Sequence, residues 1–130
     1  WFDKPFDAFW GNPNPNWGVV ESGVSSDDPE LAFDDYDGFG PERIVLELPE
    51  PDSSYRVGVH HWDDRGNGPV EAWVRVWRDG LLVHEAVVTR LPENALWDVG
   101  SIAANGDFDS PLGAPVWTVD VRRPVELKVH

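Results

Sequence analysis

The stretch of sequence that decides the fold is residues 70–88, VEAWVRVWRDGLLVHEAVV. Its first half alternates small aliphatic residues with other residues. Because successive side chains of a strand point to opposite sides, the aliphatic ones share one face. These are Val70, Ala72, Val74 and Val76. Asp79 and Gly80 follow, two residue types that accept a positive φ and favour the type I′ turn of a hairpin. With a second strand over residues 81–88, the segment predicts an antiparallel β-hairpin.

The other face of the first predicted strand carries Trp73, Arg75 and Trp77. An exposed row of aromatic rings can bind sugars by stacking on their apolar faces, and a large exposed aromatic patch marks an interaction site. The same rings can instead pack under a loop or at a subunit interface, with Arg75 stacked between them. The pattern favours packing and leaves ligand binding as the alternative.

The rest of the chain also shows apolar alternation with a period of two residues. Further strands are predicted at residues 43–48, 55–61, 96–102, 116–121 and 125–130. Residues 29–33 indicate one turn of helix at most, and the first 40 residues otherwise predict loops because Pro13 and Pro15 interrupt regular structure. The sequence therefore predicts an all-β fold, an antiparallel β-sandwich of about seven to nine strands with a long acidic, loop-rich N-terminal third.

A chain of 130 residues fits a single domain, residues 1–130. Within it, residues 1–42 form the loop-rich acidic segment, and residues 124–130 are a candidate edge strand. No run of 18 apolar residues occurs, so the sequence contains no segment that spans a bilayer as a helix.

Ten Lys and Arg residues face 24 Asp and Glu residues, and the net charge is −14. Because such a surface repels polyanions, nucleic acid and anionic membranes are poor candidate partners, and cations are favoured.

The absence of Cys excludes disulfides and thiolate chemistry. The chain begins at Trp1 and contains no Met, from which we expect a cleaved leader or an excised piece, and a secreted or cell-surface protein.

Residues 5–42 contain nine acidic and no basic residues. Carboxylates this close repel one another, so folding them together calls for protonation or for a cation. Several oxygen ligands at flexible spacing are what Ca²⁺ prefers, and Ca²⁺ is the expected ion. The predicted ligands are Asp27, Asp28, Asp34, Asp35, Asp37 and Glu42. The alternative is a solvated acidic loop whose Asp residues cap turns.

Residues 35–42, DYDGFGPE, and residues 55–60, YRVGVH, carry a resemblance to a known family. Over residues 1–105 the chain resembles the YfaP-like exported bacterial β-sandwich domains of myxobacterial surface lipoproteins, which have a D-x-D-G-x-G-P-E signature. The resemblance implies a non-catalytic extracellular domain that holds Ca²⁺ through Asp35, Asp37 and their acidic neighbours. It does not imply a particular ligand.

Members of that family usually begin with a strand that this chain lacks ahead of Phe2. The C-terminal residues 125–130, VELKVH, alternate in the same way, with Val125, Leu127 and Val129 on one face. This segment can fill the missing place in its own sheet, as in a circular permutant, or complete the sheet of the next subunit and so build a fibre. It can also be an ordinary C-terminal strand. We expect self-association, as a homo-oligomer or a filament.

Catalytic patterns are absent from the sequence. His60 and His61 are consecutive in a predicted strand, so they point to opposite faces and do not share an ion. Residues 63–68, DDRGNG, predict a turn, and no Ser-His-Asp arrangement, phosphate-binding glycine loop or H-E-x-x-H motif occurs. The predicted function is a non-catalytic, Ca²⁺-stabilised extracellular structural or adhesion domain, in a surface fibre if the C-terminal strand is donated. A carbohydrate-binding module is the alternative.

Overall fold

The computed structural model describes residues 1–4, 6–17, 26–35, 40–111 and 116–118. These residues form eight strands and no helix. The strands are β1 (Glu30–Phe33), β2 (Arg43–Val45), β3 (Ser54–His61), β4 (Val70–Arg78), β5 (Leu81–Leu91), β6 (Ala95–Ala103), β7 (Phe108–Asp109) and β8 (Val116–Thr118). Every pairing between them is antiparallel, which confirms the all-β, antiparallel prediction. In the described part of the chain, no helix is long and apolar enough to cross a bilayer.

The chain divides into two compact units, Trp1–Ser53 and Ser54–His130. Unit 1 contains β1 and β2, and unit 2 contains β3 to β8. The division falls immediately before β3. A single domain over residues 1–130 stays a prediction.

In unit 1, β1 and β2 form a two-stranded antiparallel sheet with Leu31 opposite Ile44. The helical turn predicted at residues 29–33 is therefore wrong, because β1 occupies this segment. A single turn of helix gains few hydrogen bonds for the residues it orders, whereas a strand that finds a partner gains a ladder. The partner strand β2 also ends at Val45, earlier than the sequence predicts.

The loop that precedes β1 lacks regular structure over its Pro-rich part, as predicted. It is tied to the rest of unit 1 by hydrogen bonds from two backbone amides. The amide of Leu31 donates to the carbonyl oxygen of Pro13 at 2.8 Å, and the amide of Trp17 donates to Oδ1 of Asp28 at 2.6 Å. The second of these bonds makes Asp28, one of the predicted metal ligands, a partner of the loop backbone.

In unit 2, β6 is the central strand of a sheet that also contains β3, β7 and β8. The pairing of β3 with β6 runs from Ser54 opposite Ala103 to His61 opposite Ala95. A register shift interrupts it near Gly58, where β6 carries one more residue than β3. The first six residues of β6 are buried, so this strand forms the centre of the unit.

The second sheet of unit 2 is the hairpin of β4 and β5. Its turn is at Asp79 and Gly80, which have φ of 50° and 78°, so the predicted hairpin and its positive-φ turn are confirmed. β5 extends to Leu91, beyond its predicted end. Burial alternates along β4, as expected for a strand with one covered face.

The core of unit 2 is formed by residues at the end of β5 and in β6. Its buried side chains are Leu91, Ala95, Trp97 and Val99. The half-buried face of the hairpin packs against this cluster through Val70, Ala72, Val74, Ala86 and Val88. The aliphatic face that the sequence assigned to β4 is thus the inner face of the hairpin, and its other face points away from the core.

Candidate functional site

The outer face of the hairpin is rich in exposed apolar side chains. Trp73 and Trp77 are each 58% exposed. Trp73 lies opposite Val87, and Trp77 lies opposite Leu82, and both of these aliphatic side chains are also exposed. The two indoles are four residues apart on one strand, which corresponds to about 13 Å along β4.

A polar pair separates the two apolar patches. Arg75 lies opposite Glu85, and its Nε donates to Oε2 of Glu85 at 2.5 Å. The indole N–H of Trp73 donates to Oε1 of Glu71 at 2.6 Å, which holds this ring in one orientation. We call the surface formed by Trp73, Trp77, Leu82, Val87 and the Arg75–Glu85 pair the tryptophan face.

The tryptophan face is accessible because the opposite side of the hairpin is used for packing. Two-stranded sheets with one face on a core leave the other face to solvent. A surface position normally carries a polar residue, so two tryptophans at such positions are unusual. The role of Trp73, Arg75 and Trp77, as packing or as ligand-binding residues, stays a prediction.

In the acidic segment, three of the predicted metal ligands, all among the described residues, influence one another electrostatically, but their carboxylate oxygens do not form a group within 4.8 Å of one another. The pKa of Glu42 is raised above its ordinary value. The largest cause is partial burial of its carboxyl group, and the negative charges of Asp34 and Asp35 add to it. Asp35 also accepts a hydrogen bond from the amide of Gly40 through Oδ2. The raised pKa of Glu42 means that its ionised form is disfavoured in the folded state, and a nearby cation would relieve this.

Asp27 and Asp28 take different roles in unit 1. Asp28 accepts the hydrogen bond from Trp17 described above, whereas Oδ1 of Asp27 is buried with no hydrogen-bond partner among the described residues. Asp37 lies outside the described residues. A metal site formed by Asp27, Asp28, Asp34, Asp35, Asp37 and Glu42 stays a prediction.

A different acidic cluster forms in unit 2. Asp63, Asp64 and Glu93 each offer a carboxylate oxygen, and these atoms lie within 4.8 Å of one another. In the described ranges of the chain this is the one group of three acidic or His side chains that could hold a metal ion. The sequence predicts a turn at Asp63 and Asp64, and Glu93 is not among the predicted metal ligands.

The pairing of β3 with β6 explains the cluster. β3 ends at His61 and β6 begins opposite it at Ala95, so the loop after β3 and the loop before β6 leave the sheet at the same end. The amide of Asn94 donates to the carbonyl oxygen of His61 at 2.7 Å, which holds the two loops together. Two features of the sequence could have predicted this site. Glu93 lies just before the predicted strand at residues 96–102, and Asp63 and Asp64 lie just after the predicted strand at residues 55–61.

The Asp side chains of the cluster also stabilise the predicted turn. Asp64 accepts hydrogen bonds from the amides of Gly66, at 2.7 Å, and Gly68, at 3.1 Å, and Asp63 accepts one from Arg65 at 2.9 Å. An ionised carboxylate has about four acceptor sites, so these bonds leave room for a cation on the same oxygens. Oxygen ligands of this type suit Ca²⁺ or Mg²⁺.

The predicted donated strand lies outside the described residues. Val125, Leu127 and Val129 belong to residues 119–130, and no described strand includes them. β8 pairs with β6 through Leu96 and Trp117. Strand donation and circular permutation stay predictions.

Comparison with known proteins found no match among protein-family models, curated proteins or solved structures. The resemblance to YfaP-like domains stays a prediction from sequence motifs.

Proposed function

We propose that this chain is a non-catalytic extracellular adhesion domain that binds its partner through the tryptophan face. The observation that carries this proposal is the exposure of both Trp73 and Trp77 on the outer face of β4. Tryptophan is the residue type most enriched among side chains that dominate binding energies, since it buries a large area with few rotatable bonds. An apolar row of this kind on a free surface is a liability unless it is covered when the protein works.

The proposed fold for this function is a β-sandwich in unit 2. The hairpin of β4 and β5 supplies one layer, and the sheet centred on β6 supplies the other, with Trp97 and Leu91 in the core. Packing of the hairpin against this core helps to hold the tryptophan face in place, which lowers the ordering cost of binding. An extracellular or cell-surface location belongs to the same proposal, and the net charge of −14 favours solubility there.

Binding to an array of immobilised polysaccharides and extracellular glycoproteins tests the proposed contact surface. We expect the intact chain to bind at least one immobilised partner, and the double variant Trp73→Ala with Trp77→Ala to lose that binding by roughly a hundredfold or more. The loss follows from removal of both indoles, which supply most of the apolar area of the face.

Trp10→Ala is the matched control, because Trp10 is 57% exposed but belongs to unit 1. This variant removes an equally exposed indole outside the tryptophan face and should bind as the unchanged chain does. Thermal unfolding verifies that all three proteins are folded. Identical binding by the double variant and the unchanged chain would refute the proposal.

We also propose that Ca²⁺ stabilises the domain, with Asp63, Asp64 and Glu93 as the first candidate site. The proximity of their carboxylates supports it. Next to Glu93, Asn94 has a buried side-chain oxygen without a hydrogen-bond partner in the described part of the chain, and a cation is a suitable partner for such an oxygen. Assembly into a surface fibre through Val125, Leu127 and Val129 belongs to the same proposal.

Thermal unfolding with millimolar Ca²⁺ or with a chelator tests the proposed ion. An ion that binds only the folded state stabilises it by about 2.7 kcal/mol when present at about a hundred times its Kd. We expect Ca²⁺ to raise the Tm of the unchanged chain, and Glu93→Gln to remove most of that rise. Gln has nearly the same size as Glu but lacks its charge, so packing is preserved.

The double variant Asp34→Asn with Asp35→Asn is the comparison for the acidic segment. If it retains the full response to Ca²⁺, the ion belongs to the unit 2 cluster. If it alone loses the response, the ion belongs to the segment that the sequence indicated. A Tm that is the same in Ca²⁺ and in chelator would refute a stabilising ion at either place.

A further inference from the structure

The tryptophan face consists of two apolar patches with a charged pair between them. Trp73 with Val87 forms one patch, and Trp77 with Leu82 forms the other. The Arg75–Glu85 ion pair occupies the middle of the face, with the Glu85 side chain 41% exposed. This order of apolar, polar and apolar surface along β4 restricts the chemistry of the partner.

A protein partner fits this order poorly. The centre of a protein–protein interface is depleted of Lys, Glu and Asp, although Trp and Arg are enriched there, so Glu85 is the residue that does not fit. On the tryptophan face the charges are at the centre, so a flat protein surface would have to bury the Arg75–Glu85 pair. Burial of such a pair costs more in desolvation than it returns unless its remaining donors and acceptors are satisfied.

A polysaccharide fits the same order well. Its sugar rings present C–H groups that are attracted to the negative face of an indole. Hydroxyl groups at the ring edges can donate to Glu85 and accept from Arg75, and linkage oxygens can accept from Arg75. Because Trp73 and Trp77 are separated by about 13 Å along the strand, a ligand that stacks on both needs several linked rings.

The charges of the face and of the chain favour an uncharged polymer. Arg75 and Glu85 neutralise each other at 2.5 Å, so the face offers no unpaired cation to an acidic sugar. The net charge of −14 repels polyanions, which include acidic polysaccharides. An uncharged glycan meets neither penalty.

We infer that the partner of the tryptophan face is a neutral, extended polysaccharide that lies along β4, with Trp73 and Trp77 as its two stacking platforms and the Arg75–Glu85 pair as the hydrogen-bonding group between them. This inference rests on the proposed function, since it names the chemistry of the partner for the same surface. It also explains why each indole has an aliphatic neighbour across the hairpin, which widens the platform under a sugar ring.

Calorimetric titration of the intact chain with cellohexaose, xylohexaose and mannohexaose tests the inference. We expect at least one hexasaccharide to bind. The disaccharide of the same sugar should bind roughly tenfold more weakly, because it cannot reach both indoles. Trp73→Ala and Trp77→Ala should each lower the affinity for the hexasaccharide by roughly tenfold. Trp73→Phe keeps an aromatic ring and should lower this affinity less. Trp10→Ala should have no effect.

Three results would overturn the inference. They are binding of none of the three hexasaccharides, equal affinity for hexasaccharide and disaccharide, or tighter binding of polygalacturonate than of any neutral sugar. Light scattering of the same samples measures whether the chain forms a dimer through the tryptophan face. A dimer that Trp73→Ala dissociates would mean that a second copy covers the face, so that the proposed contact surface stands while its glycan partner does not.

Discussion

Replacement of Gly100 by alanine is expected to destabilise unit 2 by about 4 kcal/mol, as the sum of a strained backbone and an overpacked contact. Gly100 lies in β6 with a φ of 142°, a conformation that residues with a Cβ rarely adopt. A Cβ at this position would meet the carbonyl oxygen of Asp109 and approach the ring of Phe108 to 2.8 Å. Both residues belong to β7, which pairs with β6, so the contact cannot be relieved without separating these two strands.

Urea-induced unfolding measured by circular dichroism gives the free energy of unfolding for this comparison. Gly66→Ala is the matched control, since Gly66 also has a positive φ, of 80°, but a Cβ there meets no described atom within 4 Å. Gly66→Ala introduces the backbone strain without a close contact, and it should lower the free energy of unfolding by about 1 kcal/mol. Equal destabilisation by the two substitutions would show that the close approach of β7 to Gly100 does not constrain the fold.

Arg56→Met is expected to destabilise unit 2 by about 3 kcal/mol, because it leaves a charged carboxylate buried without its partner. Nη2 of Arg56 lies 2.5 Å from Oδ2 of Asp98, whose side chain is only 6% exposed. The other carboxylate oxygen, Oδ1, is buried with no hydrogen-bond partner in the described ranges. Asp98 is therefore compensated through one oxygen, and loss of the guanidinium removes the compensation.

Arg75→Met provides the control for this prediction in the same urea experiment. Its ion pair with Glu85 has the same 2.5 Å separation, but both side chains are exposed, so its loss should cost less than about 1 kcal/mol. Adding Asp98→Asn to Arg56→Met removes the stranded charge and should recover part of the lost stability. If Arg56→Met costs no more than Arg75→Met, burial of Asp98 does not control the strength of this pair.

The hairpin of β4 and β5 shows what local sequence is able to predict. Alternation in VEAWVRVWR requires only that neighbouring residues point to opposite sides, and Asp79-Gly80 needs only its own φ angles. The bounds of β4, the position of the turn and the sharing of one face by Trp73 and Trp77 all follow from these short-range rules. No distant residue has to be known for any of them.

The accessibility of the tryptophan face was not available from the same pattern. Alternation assigns residues to two faces but does not say which face is covered, and each face of β4 carries large or aliphatic apolar residues. The aliphatic face is covered because its small side chains pack against Trp97 and Leu91, which the chain delivers from the end of β5 and from β6. The sequence pattern favours packing under a loop or at a subunit interface for Trp73 and Trp77, with ligand binding as the alternative, and alternation alone does not decide between them.

The amino-acid sequence by itself determined the all-β class, the hairpin, the excess of negative charge and the turn at residues 63–68. Only the tertiary structure decided that β1 is a strand, that the Trp row faces outward and that Glu93 joins Asp63 and Asp64. These three outcomes share one physical cause. Each depends on which segments pair or pack across the chain, and such long-range register is set by the burial of the core and not by the residues nearest in sequence.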